Sequence, residues 1–277
     1  MSWEARLSTP GSPVCTPDWL ALREPADAEA RASDLVEPLR ALRTPLVVRD
    51  LGCGSGSMGR WLAPRLPRPQ RWYLHDRDPR LLAIAAGSVP GEPVEGELAD
   101  LTDLAGAALV TCSALLDLLT ADEVHRLARL SVEAGAAALF TLSVTGGVRL
   151  TPAEPLDAEV AAAFDAHQRR KVAGRRLLGP DAGAVAAEAF RALGATVTTR
   201  PSPWRLGAAH PELTEEWLRG RLAAACEQEP ALAREASPYL RRRLDALAAG
   251  ELRAEVGHVD LLVLPSRTGP ARRTGPC

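Results

Sequence analysis

The chain has one lysine, Lys171, in 277 residues. Arginine therefore supplies nearly all the positive charge, and beside abundant alanine this skew reads as GC-rich coding bias before it reads as function. An excess of either sign is also missing: 33 Lys+Arg stand against 35 Asp+Glu, a formal net charge of −2. That balance excludes the broad basic field by which most nucleic-acid binders attract phosphates. Cysteines are few and scattered at Cys15, Cys53, Cys112, Cys226 and Cys277, with no CxxC pair. This argues against a disulfide framework or a zinc site and for reduced thiols in the cytoplasm. Histidines and acids do not cluster at ligand spacing, so no metal is expected. No apolar run approaches the roughly 18 residues of a membrane span. The opening MSWEARLSTPGSPVC has Glu4 and Arg6 but no apolar segment, and so does not read as a signal peptide.

What remains is ordinary globular composition, 46% hydrophobic and 25% charged. Residues 1–17, with Pro10, Pro13 and Pro17, read as a loose arm. The spacing of Trp19, Leu20, Leu22, Leu35, Val36 and Leu39 predicts one or two cap helices to about residue 43, broken near Pro25. LVVRDL (46–51) is a short β-branched run that ends in glycines, the pattern of a buried strand entering a tight turn. Strands are further predicted at 71–76, near Val94, and at 107–112, 136–144, 195–200 and 255–265. Helices are predicted at 57–66, at 79–87 with Gly87 as its stop, at 120–135, at 181–193 and through 211–247. In the 120–135 helix, Thr120 and Glu123 form a capping box and Gly135 ends the element. The alternation predicts an α/β fold with a mostly parallel sheet. Three parts follow: an arm with cap helices at 1–45, a main domain at 46–265 and a flexible tail at 266–277. The main domain carries helical inserts at about 145–180 and 208–250.

The chemistry centres on Asp50-Leu51-Gly52-Cys53-Gly54-Ser55-Gly56. Alternate glycines let the backbone turn sharply and let a ligand approach where a Cβ would clash, and the next helix offers free N–H groups. Gly54, Gly56 and Gly59 also fit a dinucleotide fingerprint, with Asp76 some 20 residues on as the ribose acid. Asp50 separates the two readings. A pyrophosphate gains nothing from a carboxylate at the strand tip, whereas an amino group or a sulfonium does.

DLGCGSG resembles motif I of class I methyltransferases that use S-adenosylmethionine. The resemblance is convincing over about 46–145. It implies a Rossmann-like sheet of seven strands with the last antiparallel, and S-adenosylmethionine as cofactor. The implied cofactor set is Asp50, Gly52, Cys53, Gly54 and Gly56, then Asp76 for the ribose hydroxyls with Arg77 beside it. Ala99 and Asp100 fall near the adenine, and Ser113 lies where the pocket closes. Asp78 reads as an N-cap. Asp117 either faces the methyl group or caps a helix.

Methyl transfer is an in-line displacement in which the protein mainly positions and desolvates, so the acceptor leaves little mark on the sequence. The inserts sit where small-molecule enzymes of this kind build a lid. His167 is the candidate base, since imidazole titrates near neutrality; a surface histidine on an arginine-rich helix is the plainer alternative. Arg169, in the densest basic cluster (169–176), and Trp204 are candidate contacts for a small, anionic acceptor. An RNA methyltransferase and a catalytically silent cofactor-binding partner are the rival readings. The sequence leaves the oligomeric state open, a homodimer included.

Overall fold

The computed structural model describes residues 15–265. The expectations for residues 1–14 and for the 266–277 tail, Cys277 included, lie outside the described residues. The first strand, β1 (Leu46–Leu51), pairs in parallel with β2 (Gln70–Asp76) on one side and β4 (Leu109–Ser113) on the other. Beyond them lie β3 (Gly91–Glu95) and β5 (Ala137–Thr151), also parallel. The last strand, β10 (Arg253–Leu264), runs antiparallel between β5 and β8 (Thr196–Pro201). The main order is β3-β2-β1-β4-β5-β10-β8, the expected seven strands, and β9 (Trp204–Gly207) pairs additionally with β10.

Period-two alternation divides the core into two layers. Leu46, Val48 and Leu109 face α2 (Ser57–Leu62), α3 (Pro79–Ser88) and a 3-10 helix at Ser33–Ala41. Leu51, Val110 and Phe140 face α4 (Ala121–Glu133) and α6 (Ala182–Ala192). The capping box of α4 forms as expected: Glu123 N donates to Thr120 Oγ1 at 3.3 Å, and Thr120 N donates to Glu123 at 2.8 Å.

The structure departs from the sequence expectations in several elements. Helix α1 (Pro17–Ala30) starts inside the supposed arm, with Thr16 as its N-cap, and runs through Pro25. A proline inside a helix costs roughly 3 kcal/mol. Here the flanks are tied down: Arg23 pairs with Asp27 at 2.9 Å, and Glu24 accepts from Arg60 Nε at 2.8 Å. The break comes instead at Arg31, where ψ is 131°. Helix α3 runs past Gly87 to Ser88. Strand β5 continues past the expected 144 through Gly146 and Gly147 to Thr151, so the insert expected to be helical from about 145 opens as a strand. It then forms α5 (Asp157–Gln168) and a tight hairpin of β6 (Lys171–Val172) and β7 (Arg175–Arg176), where a helix face had been expected to carry the basic cluster.

The long ends of β5 and β10, with β9, support a separate helical layer. Leu150, Trp204, Leu206 and Val256 pack there against α1, α7 (Pro211–Gln228) and α8 (Ala233–Ala248). Helices α5, α7 and α8 share a smaller core of Val160, Leu222 and Tyr239. No described helix is long and apolar enough to cross a membrane.

Candidate functional site

The carboxyl ends of β1, β2 and β4 open onto one cleft, as expected for ligands of doubly wound sheets. After β1 the backbone takes positive φ at Gly52 (+61°), Gly54 (+54°) and Gly56 (+91°). A Cβ on Gly52 would stand 3.0 Å from Leu115 Cδ2, and one on Gly54 would stand 3.2 Å from Leu20. Both would project into the space between the turn and its walls. Gly59 serves a different purpose: a Cβ there would lie 2.8 Å from Val89, so this glycine lets α2 sit close against the end of α3.

Two adjoining cavities occupy the cleft and share Gly52, Asp76 and Leu115. The inner one, about 70 Å³, is walled by Asp50, Gly54, Ser57 and Ser113 and by Leu20, Arg23 and Asp27 of α1. The outer one, about 310 Å³, reaches Arg77 and Ala99–Asp100, with apolar walls from Leu98, Leu101 and Leu127. Arg126 holds the wall loop by donating to the carbonyls of Leu101 (2.9 Å) and Leu98 (2.6 Å).

Asp50 is fully buried. Its Oδ1 accepts from Thr111 Oγ1 at 2.7 Å, and its Oδ2 has no partner among the described residues. Burial raises its pKa to about 7, an effect that the Thr111 bond and the charge of Arg31 only partly offset. Asp76 stands between the cavities. Its Oδ2 accepts from Gly54 N (2.8 Å) and its Oδ1 from Asp78 N (3.0 Å). A carboxylate accepts about four hydrogen bonds, so capacity remains toward the cleft. Asp78 caps α3, accepting from Arg80 N at 2.9 Å. Cys53 packs in the apolar layer below the turn, and burial pushes its thiol well above the ordinary range. Arg77 lies 3.5 Å from Glu97 at the rim of the outer cavity. Ser113 accepts from Thr141 Oγ1 at 3.0 Å, and the next residue, Ala114, is held at a strained φ of +50°. Asp117 is half-buried and close enough to Arg23 to feel its charge; burial raises its pKa to about 6.

The other candidates are placed elsewhere. His167 is 1% exposed on α5, with Nε2 3.5 Å from Glu227 of α7 and Nδ1 3.2 Å from Arg170. It lines neither cavity, because its face of α5 packs on α7. Trp204 is buried under α1 and lines neither cavity: its Nε1 donates to Asp27 at 2.9 Å and its ring lies 4.9 Å from the Arg23 guanidinium. Arg169 pairs with Asp181 at 2.7 Å beside an open surface groove outside the cleft. Arg175, of the same basic cluster, pairs with Glu123 at 2.6 Å. Two of the five basic side chains at 169–176 are thus paired with carboxylates, which lowers the charge this segment could offer a phosphate backbone.

The inner cavity also has walls that sequence reasoning missed, namely Leu20, Arg23 and Asp27, with Arg31 behind Ser57 and Ser113. They belong to a segment without a motif, and only the fold brings it to the strand tips. Among the described residues, no group of three or more His, Cys, Asp or Glu could hold a metal ion.

No protein-family model matches the sequence, and no curated protein matches it. Among solved structures, the chain is similar to the cyclopropane synthase MmaA2 from Mycobacterium tuberculosis, at 13% identity over 90% of this chain and 94% of that one, with a TM-score of 0.49. It is also similar to an S-adenosylmethionine-dependent methyltransferase from Thiobacillus denitrificans in complex with S-adenosylhomocysteine, at 18% identity, 89% and 98% coverage, and a TM-score of 0.45. A third match is an S-adenosylmethionine-dependent methyltransferase from Geobacter sulfurreducens, also in complex with S-adenosylhomocysteine, at 16% identity, 90% and 98% coverage, and a TM-score of 0.44.

Proposed function

We propose that this chain is an S-adenosylmethionine-dependent methyltransferase whose acceptor is a small molecule. One observation carries the reading. The glycine turn closes around a buried carboxylate, Asp50, with one oxygen unsatisfied. A buried carboxylate left so costs free energy unless a cationic partner completes it, and a ligand with an ammonium beside a sulfonium supplies that partner. A pyrophosphate would instead be repelled, which disfavours a nicotinamide cofactor.

The cofactor brings an activated methyl group on a sulfonium. The chain's residues bind and orient it. Asp50 takes the ammonium, Asp76 the ribose hydroxyls, and Ala99 and Asp100 the adenine edge, between the apolar walls of Leu98 and Leu101. Gly52 and Gly54 leave room for the backbone to approach the ligand. Positioning and exclusion of water supply most of the acceleration. Where the acceptor must lose a proton, Asp117 is the candidate base: it lines neither cavity itself but lies close enough to Arg23 of the inner wall to feel its charge, and burial has already raised its affinity for a proton. Neither His167 nor Arg169 enters this mechanism. In domain terms, residues 46–265 form the methyltransferase unit and the preceding helices its cap.

Calorimetric titration tests the reading. S-adenosylhomocysteine should bind and NAD should not, and Asp50→Ala and Asp76→Ala should each weaken binding about tenfold or more, the scale of one lost charge-assisted contact. Binding of NAD without S-adenosylhomocysteine would overturn it.

A further inference from the structure

Arg31 is only 4% exposed, yet among the described residues no carboxylate forms an ion pair with it. Its Nη2 donates to Ser57 Oγ at 2.9 Å and to Ser113 Oγ at 3.1 Å, both lining the inner cavity. Its Nε and Nη1 have no acceptor among the described residues. A guanidinium stays charged at any physiological pH, and burying it with two idle donors is costly unless an anion completes it. The post that carries it is rigid. Arg31 N donates to Asp27 O at 3.1 Å, Ala32 N donates to Asp260 Oδ2 at 2.8 Å, and the guanidinium lies 5.5 Å from the Trp61 ring.

The unsatisfied cation stands beside the unsatisfied anion of Asp50 without pairing with it. Asp50 is bound to Thr111, and Arg31 is bound to Ser113, two residues farther along β4. Two residues on one face of a strand are about 6–7 Å apart. The inner cavity thus offers an open carboxylate oxygen and, one strand repeat away, directly behind its wall residues Ser57 and Ser113, guanidinium donors without an acceptor among the described residues. That is the complement of a zwitterion, an α-amino acid group with its ammonium toward Asp50 and its carboxylate toward Arg31.

We infer that Arg31 binds the carboxylate of the cofactor's amino-acid end, so that the cap segment is part of the cofactor site. The identity of that ligand rests on the methyltransferase reading above. Planar guanidinium donors match a carboxylate better than an ammonium does.

The test compares two probes on the full-length chain by calorimetry: S-adenosylhomocysteine, and its decarboxylated analogue S-adenosyl-3-thiopropylamine, which keeps the ammonium. The wild-type chain should prefer S-adenosylhomocysteine about tenfold to a hundredfold, the range of a charge-assisted hydrogen bond. Arg31→Gln should erase that preference while leaving affinity for the decarboxylated probe within about twofold. Arg31→Lys, which keeps the buried charge but loses the fork, should retain a reduced preference and guards against a glutamine variant that does not fold. Asp50→Asn should weaken both probes together. An unchanged preference in folded Arg31→Gln, or equal weakening of both probes by it, would overturn the inference and leave the methyltransferase reading standing. If the wild-type chain binds neither probe, that reading fails as well.

Discussion

At the scale of single residues, Asp50 couples binding to stability. Its raised pKa of about 7 means that the folded protein holds a proton that the unfolded chain, with an ordinary aspartate near 3.9, releases earlier. Between those values the native state binds more protons than the unfolded one, so this group's contribution to stability falls as pH rises from about 4 to about 7. Asp50→Asn removes the penalty: by thermal melting near pH 8 the variant should be more stable than wild type by a few degrees, with the gain vanishing near pH 4, even as S-adenosylhomocysteine binding weakens. This residue was legible in the sequence because a strand tip and a glycine turn are local patterns, and so were Gly52, Gly54 and Asp76. Arg31 was not. It lies 26 residues from Ser57 and 82 from Ser113, and a buried arginine in a helical stretch looks like a solvated one until the fold is known.

At the scale of elements, local signals were read correctly where they sufficed. The α4 capping box and the β1–turn–α2 unit each sit within a few consecutive residues. Strand β9 escaped notice because it lies between two proline-containing stretches and its hydrogen-bond partner is the far end of β10, some 50 residues on. The extension of β5 was hidden by Gly146 and Gly147, which favour a turn locally but here face β10. His167 shows the same limit in side-chain terms: one histidine near the end of an alanine-rich helix gave no sign that its face was covered. Its contacts bridge α5 and α7, so His167→Ala should cost about 1–3 kcal/mol of unfolding free energy in urea. S-adenosylhomocysteine affinity should not change.

At the scale of the molecule, the cap and the sheet are stitched together by long-range polar ties. The buried carboxylate of Asp260 accepts from Ala32 N (2.8 Å), Leu142 N (2.8 Å) and Ser202 Oγ (2.5 Å), joining the cap, β5 and the β8–β9 link. Arg200 adds an exposed pair with Asp34 at 2.8 Å. A ligand that satisfies Asp50 and Arg31 together pulls on both parts, so binding should register as stability of the whole chain. At S-adenosylhomocysteine one hundred times its dissociation constant, mass action adds about 2.7 kcal/mol. The melting temperature should then rise by roughly 5–10 °C at about 2–4 °C per kcal/mol, in one transition by scanning calorimetry. A second, unshifted transition would mean that the cap unfolds independently.

Helix α1 also bears on access to the site. It walls the inner cavity with Leu20, Arg23 and Asp27 and is pinned by the Glu24–Arg60 and Asp27–Trp204 contacts. On the reading proposed above, an amino-acid group held at Asp50 would lie against that wall, so loosening either contact should speed both its entry and its departure.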